Sequence, residues 1–184
     1  GMARETAQVV NAAAGKAQQE RLGFGEALGR EIKDQSPDSS DVSLFAACLG
    51  LEVPVTVHVA LGTDIVHQHP SADGACIGDA SMRDFRILAA SVSRLGNGGV
   101  AVNVGSAVVL PEVFLKALSV ARNLKGEIAD FTTANFDMIQ HYRPMANVVQ
   151  RPVMPGGRGY AISGHHEIML PLLAALVHEE QAGS

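Results

Sequence analysis

The stretch from Val53 to Asp79, VPVTVHVALGTDIVHQHPSADGACIGD, decides how this chain is read. It opens as an apolar, β-branched run, Val53 to Ala60, with the composition of a buried strand. It then passes into a segment carrying Gly62, Asp64, His67, His69, Asp73, Gly74, Gly78 and Asp79. Connections between a strand and a helix run about 2–6 residues, so this one is too long for turn chemistry alone. An open α/β sheet binds its ligand outside the carboxyl ends of its strands, which makes this loop the candidate site.

Outward from it, apolar runs alternate with helical periods. Further strands are expected at Val100–Val104, Ile128–Thr133 and Tyr160–Ser163, with helices over 81–95, 111–123 and 171–180. The last helix would carry Pro171 in its first turn, where no N–H is needed. Strands that are apolar on both faces and separated by helices predict a three-layer α/β/α sandwich with a mostly parallel, Rossmann-like sheet. Upstream, residues 3–33 read as one or two amphipathic helices broken around Gly23 and Gly25, packing on the core or on a partner subunit. The polar connector 34–41 leads into a short helix, 42–49, with Ser40 or Asp41 as its cap. The expected α/β domain therefore spans 42–181.

Composition narrows the function. With 184 residues and 47% hydrophobic content, the chain is long enough to bury one core. A net charge of −5 and 4% aromatic residues without tryptophan argue against nucleic acid and anionic membrane partners. Cys48 and Cys76 form no metal-type pair and suit a reducing cytoplasm. No apolar run reaches the roughly 18 residues of a membrane span.

Two glycine-containing elements can take an anion. Gly105-Ser106-Ala107 follows a strand and precedes a helix, where exposed backbone amides favour negative charge. Pro155-Gly156-Gly157-Arg158-Gly159 can wrap a phosphate with Arg158 as its charge partner, or be a plain surface loop. Neither matches a dinucleotide fingerprint or a P-loop. His67, His69, His165 and His166 lie at the expected ligand edge and can act as general acids and bases or hold Zn²⁺, although their spacing fits no metal motif. His58 reads as a core histidine, Asp64 and Asp73 as turn formers, and Glu112 as a partner of a helix dipole. No G-x-S-x-G elbow occurs.

From Val53 onward, about two-thirds of the chain resembles the C-terminal half of deoxyhypusine synthase. Ala72-Asp73-Gly74 to Ile77-Gly78-Asp79 resembles that family's T-D-G-S-L-G-D loop, and Gly105 to Val109 its L-G-G-G-V-V strand end. Ala129-Asp130-Phe131, Thr133-Ala134 and Phe136-Asp137 resemble its A-D-Y and N-T-A-Q-E-F-D-G stretches. Tyr160-Ala161 and Pro171-Leu172-Leu173 resemble its Y-A-D-A-S and closing P-L-L helix. The Val55–Pro70 wording is similar to uncharacterised bacterial members, which carry a further N-terminal lobe, so part of the nucleotide site would be lacking from this chain or come from another subunit. The resemblance implies an NAD-binding α/β fold and an NAD-dependent transferase or oxidoreductase acting on a small molecule. Asp73, Gly74, Gly105, Ser106, Ala107, Thr133 and Ala134 would contact the cofactor, with His67, His69, Asp79, His165 and His166 as catalytic candidates.

There are departures. The segment matching the family's E-A-V-S-W-G-K catalytic lysine region is Ala146 to Arg151 and holds no lysine. The family's histidine after the glycine run falls near Leu110-Pro111, and its acidic Y-A-D contact falls near Ile162. An imine needs an amine, and arginine stays protonated, so deoxyhypusine synthesis is not expected. Three functions stay open. They are an NAD-type dinucleotide-binding protein, a metal-assisted hydrolase or lyase using the four histidines, and a non-catalytic fragment that forms homo-oligomers through its alanine-rich N-terminal helices.

Overall fold

The computed structural model describes residues 4–35, 37–154 and 156–183. They fall into two compact units, one up to Ala90 and one from Ser91 on.

In the first unit α1 (Arg4–Glu20) and α2 (Phe24–Gln35) pair across a three-residue break. The break follows from Arg21, whose φ of 60° takes the chain out of the helix while the Leu22 amide donates back to Ala17 O at 2.9 Å. Ala13, Ala14 and Ala17 of α1 are buried against Phe24, Ala27 and Leu28 of α2 and against Ile77 and Ala80. The alanine stripe is thus consumed inside the unit, where small side chains let helices approach closely. α3 (Leu44–Gly50) begins two residues later than expected. Its cap is Ser43, whose Oγ accepts the Ala46 amide, while Ser40 and Asp41 belong to a preceding 3₁₀ turn, Pro37–Val42.

Val53 to Ala60 is extended but forms no strand, which corrects the expectation from its composition. Its partner is a helix. α4 (Gly74–Val92) presents Ser81 and Asp84 on one face, three residues apart. Asp84 Oδ2 accepts the Val57 amide at 2.7 Å, and Ser81 Oγ accepts the Val59 amide at 3.1 Å while donating to Val57 O at 3.0 Å. The same Asp84 Oδ2 accepts the Gly25 amide at 2.9 Å. One carboxylate therefore ties α2 and the extended segment to α4. Gly25 lies inside α2 and does not break it. A Cβ there would sit 2.1 Å from Val55 O, so only glycine lets the helix backbone touch the segment.

The second unit holds β1 (Val100–Val104), α5 (Val109–Lys125), β2 (Thr132–Asp137), the short α6 (Tyr142–Pro144), β3 (Arg158–Ser163) and α7 (His166–Gly183). The described residues thus make a mixed α/β chain with seven α-helices and one parallel sheet, in the order β1-β2-β3. Register pairs Asn103 with Asn135 and Asn135 with Ala161. A π-helical turn, Met145–Gln150, lies against the Thr133 side of the sheet, where Thr133 Oγ1 donates to Val148 O at 2.7 Å.

The central strand sits four residues later than expected. Asp130 has a φ of 56°, and the carbonyls of Ala129 and Asp130 accept the Asn97 and Gly98 amides, so the apolar run before Thr132 is a turn. Arg122 of α5 secures it, donating to Ile128 O at 2.9 Å and Pro152 O at 2.7 Å, with its guanidinium 5.9 Å from the Phe131 ring. α7 begins five residues before Pro171, which therefore lies inside the helix and removes a backbone donor there.

Asp84 generates the first prediction. Its Oδ1 is buried without a partner, and burial pushes the carboxyl above its ordinary value against the opposing pull of the Val57, Gly25 and Phe24 amides. Stability from a raised carboxyl is complete below its unfolded value and is lost as pH rises through the folded one. The Tm advantage of wild type over Asp84→Asn should accordingly shrink as pH rises above about 4, the ordinary aspartate value. A difference independent of pH would refute this. Asp84→Ala strands two amide donors and should cost about 2–5 kcal/mol in urea unfolding.

Candidate functional site

The carboxyl ends of the three strands carry a line of amide side chains. Asn103 Nδ2 of β1 donates to Asn135 Oδ1 of β2 at 2.6 Å, and Asn135 Nδ2 donates to Gln140 Oε1 at 2.6 Å. Gln140 Nε2 then donates to Ser163 Oγ of β3 at 3.3 Å and to Asp137 O at 3.2 Å. Asn103 and Asn135 are buried, whereas Ser163 is exposed. The Asn103 amide also donates to Ser106 O at 3.0 Å, so the same line fixes the turn after β1. Buried polar groups are tolerated when every member is satisfied, and such a network then rigidifies its surroundings.

That turn is Gly105-Ser106-Ala107. Gly105 is exposed with a φ of 67°, a conformation suited to glycine, and its amide donates to Phe136 O at 3.0 Å. Ser106 Oγ accepts the Leu110 amide at 3.2 Å in the first turn of α5. His166 closes over the turn: a Cβ on Gly105 would lie 3.0 Å from its Cε1. Its Nε2 is 3.0 Å from Phe136 O. A carbonyl only accepts, so Nε2 carries the hydrogen and Nδ1 is the nitrogen left to accept a proton. His165 is exposed, and its carbonyl receives the Ile168 and Met169 amides at the start of α7.

The remaining second-unit candidates lie elsewhere. Thr133 is fully buried and committed to Val148, and Ala134 is buried in the sheet, so neither offers a cofactor contact. Arg158 opens β3 at the amino end, beside Thr132 and opposite the Gly105 edge. With Gly156 and Gly157 it forms the entry to the strand, and Pro155 lies outside the described residues. Ala146 to Arg151 holds Asn147, which donates to Glu112 Oε1 at 2.9 Å and accepts from Arg151 at 3.3 Å. Glu112 also pairs with Lys116 and lies 3.5 Å from Arg143, and these groups, Lys116 foremost, hold its carboxyl below the ordinary range. It is a hub between α5 and the 142–151 segment, beyond the dipole role expected of it.

In the first unit, the 62–79 residues mainly serve local structure. His67 Nδ1 accepts the Gly62 and Asp64 amides at 3.1 and 3.2 Å, completing a capping box with Asp64. His69 Nδ1 meets Ser71 Oγ at 2.8 Å, and Asn11 Nδ2 reaches Ser71 Oγ and Val66 O to pin this loop to α1. Asp73 caps α4, and the Cys76 and Ala75 amides hold its carboxyl below the ordinary range. The helix therefore starts at Gly74 rather than at 81, which places Asp79 inside it, paired with Arg83 at 3.0 Å. Burial pushes the His58 imidazole down, favouring the neutral ring beside Thr56. Among the described residues no group of three His, Cys, Asp or Glu side chains could hold a metal ion, and no helix is long and apolar enough to cross a membrane.

Sequence reasoning missed Asn103, Asn135, Gln140 and Ser163. The one usable signal is Asn103 inside the apolar Val100–Val104 run, which demands a polar partner, whereas Asn135 lies outside the expected strand 128–133. Comparison with protein-family models, curated proteins and solved structures finds no match to the chain.

Continuity of the amide line can be tested by unfolding. Asn135→Ala removes its centre, leaves Gln140 Oε1 without its donor, and should cost about 2–4 kcal/mol. Ser163→Ala, at the exposed end, should cost under about 1 kcal/mol. Equal costs at both positions would show that the buried centre carries no special load.

Proposed function

We propose that the carboxyl edge of the three-stranded sheet binds an NAD-type dinucleotide and holds a small substrate beside it. In this reading the sheet is the centre of a Rossmann-like three-layer sandwich of the deoxyhypusine synthase-like kind, and the protein is cytoplasmic. The supporting observation is the satisfied amide line from Asn103 to Ser163, which spans all three strands at the edge where such sheets take ligands. A fold that only needed a core would gain more from apolar side chains there.

The residues fit such a ligand. Gly105 takes the positive φ of the turn and its amide is bonded to Phe136 O, so a pyrophosphate would be received by the Ser106 and Ala107 amides at the head of the 17-residue α5. Asp137 ends β2 half-buried beside the line and is suited to a ribose hydroxyl. Ser163 Oγ and His166 Nδ1 would face the substrate, with His166 as proton acceptor. A bound nicotinamide would supply hydride transfer, which favours an oxidoreductase or an NAD-dependent transferase. Deoxyhypusine synthesis does not suit the chain: Ala146 to Arg151 holds no lysine, and the Arg151 guanidinium donates to Asn147.

Thermal unfolding with NAD, NADP and ADP-ribose tests the proposal. A ligand at about 100 times its Kd adds about 2.7 kcal/mol, a rise of several degrees in Tm. Asp137→Ala should abolish most of that rise while leaving the unliganded Tm within about 2 °C. No rise with any of the three at millimolar concentration would overturn it.

A further inference from the structure

α7 is a helix without a seat. From Ile168 to Val177 it has ten consecutive residues without a charge, IMLPLLAALV. Yet none of its residues is buried: Ile168 is 64% exposed, Leu172 50% and Leu176 51%. A helix apolar on all sides is normally enclosed by protein or lipid. Ten residues span about 15 Å, half a bilayer's hydrocarbon core, so a membrane crossing does not account for it.

The same unit has a sheet face on which Ala134 and Phe136 of the central strand are buried while the flanking strands lack a cover. Alternation along β1 puts Val100, Val102 and Val104 on the face opposite Asn103. Register sets Val102 beside Ala134 and Tyr160, and Val104 beside Phe136 and Ile162. The other face is closed by the 145–150 turn through Thr133. On this one Val100 is 62% exposed, Val102 44%, Val104 40% and Tyr160 48%. Parallel sheets are normally covered by helices on both faces.

We propose that α7 of one copy packs on the Val100–Val102–Val104 face of a second copy, and reciprocally, making a two-fold dimer. The chain carries both halves of the contact, an exposed apolar helix and exposed apolar side chains on β1 and β3. In a two-fold arrangement the pair is satisfied twice. A stable interface buries roughly 800 Å² per partner, and Ile168, Leu172 and Leu176 of α7 with Val100, Val102, Val104 and Tyr160 of the sheet are exposed apolar side chains that would contribute to it. Leu172 and Leu176, four residues apart on one helix face, would lie over Val102. This places the self-association in α7, since the alanine stripe of α1 is already buried against α2 and α4. It is independent of the dinucleotide proposal.

Sedimentation equilibrium of the 184-residue chain should give twice 19.2 kDa at tens of micromolar, with a Tm that rises with protein concentration. Leu176→Glu should weaken the dimer at least tenfold with helix content retained. Should that variant not fold, cysteine pairing decides. In a Cys48→Ser, Cys76→Ser background, differently tagged Val102→Cys and Leu176→Cys chains are mixed and oxidised. A disulfide joining the two tags supports the dimer. A monomeric wild type, a link within one chain when both cysteines are on it, or Leu176→Cys linking only to itself would each overturn it.

Discussion

A single carboxylate organises the first unit. Asp84 is fully buried on α4, and its Oδ2 accepts amides from both α2 and the extended 53–60 segment. Without that acceptor two desolvated N–H groups would be stranded, each costing about 1–3 kcal/mol. Its dependence on context is steep. Gly25 must lack a Cβ for the α2 backbone to reach the segment, and a Cβ at Gly23 would lie 2.1 Å from Asp84 Oδ1. Two glycines that look like helix breakers thus hold a place for one acid.

The second unit repeats the device with neutral groups. Asn103 and Asn135 do for the strand ends what Asp84 does for the helices, joining backbone turns through a buried acceptor and donor. Neutral amides suit this place because each both donates and accepts, so a line of them can cross three strands without leaving a charge buried. The line stops at an exposed serine, and at the same end of the sheet the His166 imidazole meets Phe136 O. Rigid support leading to reactive groups at the surface is the arrangement binding sites require.

The loop from Gly62 to Asp79 teaches the opposite lesson. Its histidines and aspartates look like chemistry in the sequence, and most are caps. His67, Asp64 and Asp73 each accept backbone amides a few residues away. Such contacts are local, so spacing alone cannot separate a capping aspartate or histidine from a catalytic one. The difference lies in what else approaches the side chain, and that depends on distant parts of the chain.

Local features are legible in the amino-acid order alone: helices at α1, α2 and α5, the strand Val100–Val104, the small-residue turn at Gly105, and the absence of a lysine between Ala146 and Arg151. Helical periodicity and turn residues act over a few positions and can be read there. The tertiary structure decided which apolar run pairs with what. Val53 to Ala60 has every feature of a strand, but its hydrogen bonds go to Ser81 and Asp84 of a helix. Thr132 to Asp137, polar in sequence, became the central strand because Asn135 meets Asn103 across it. Burial of a polar group is favourable only when its partner is in place, and that partner lies about 30 residues away in each case.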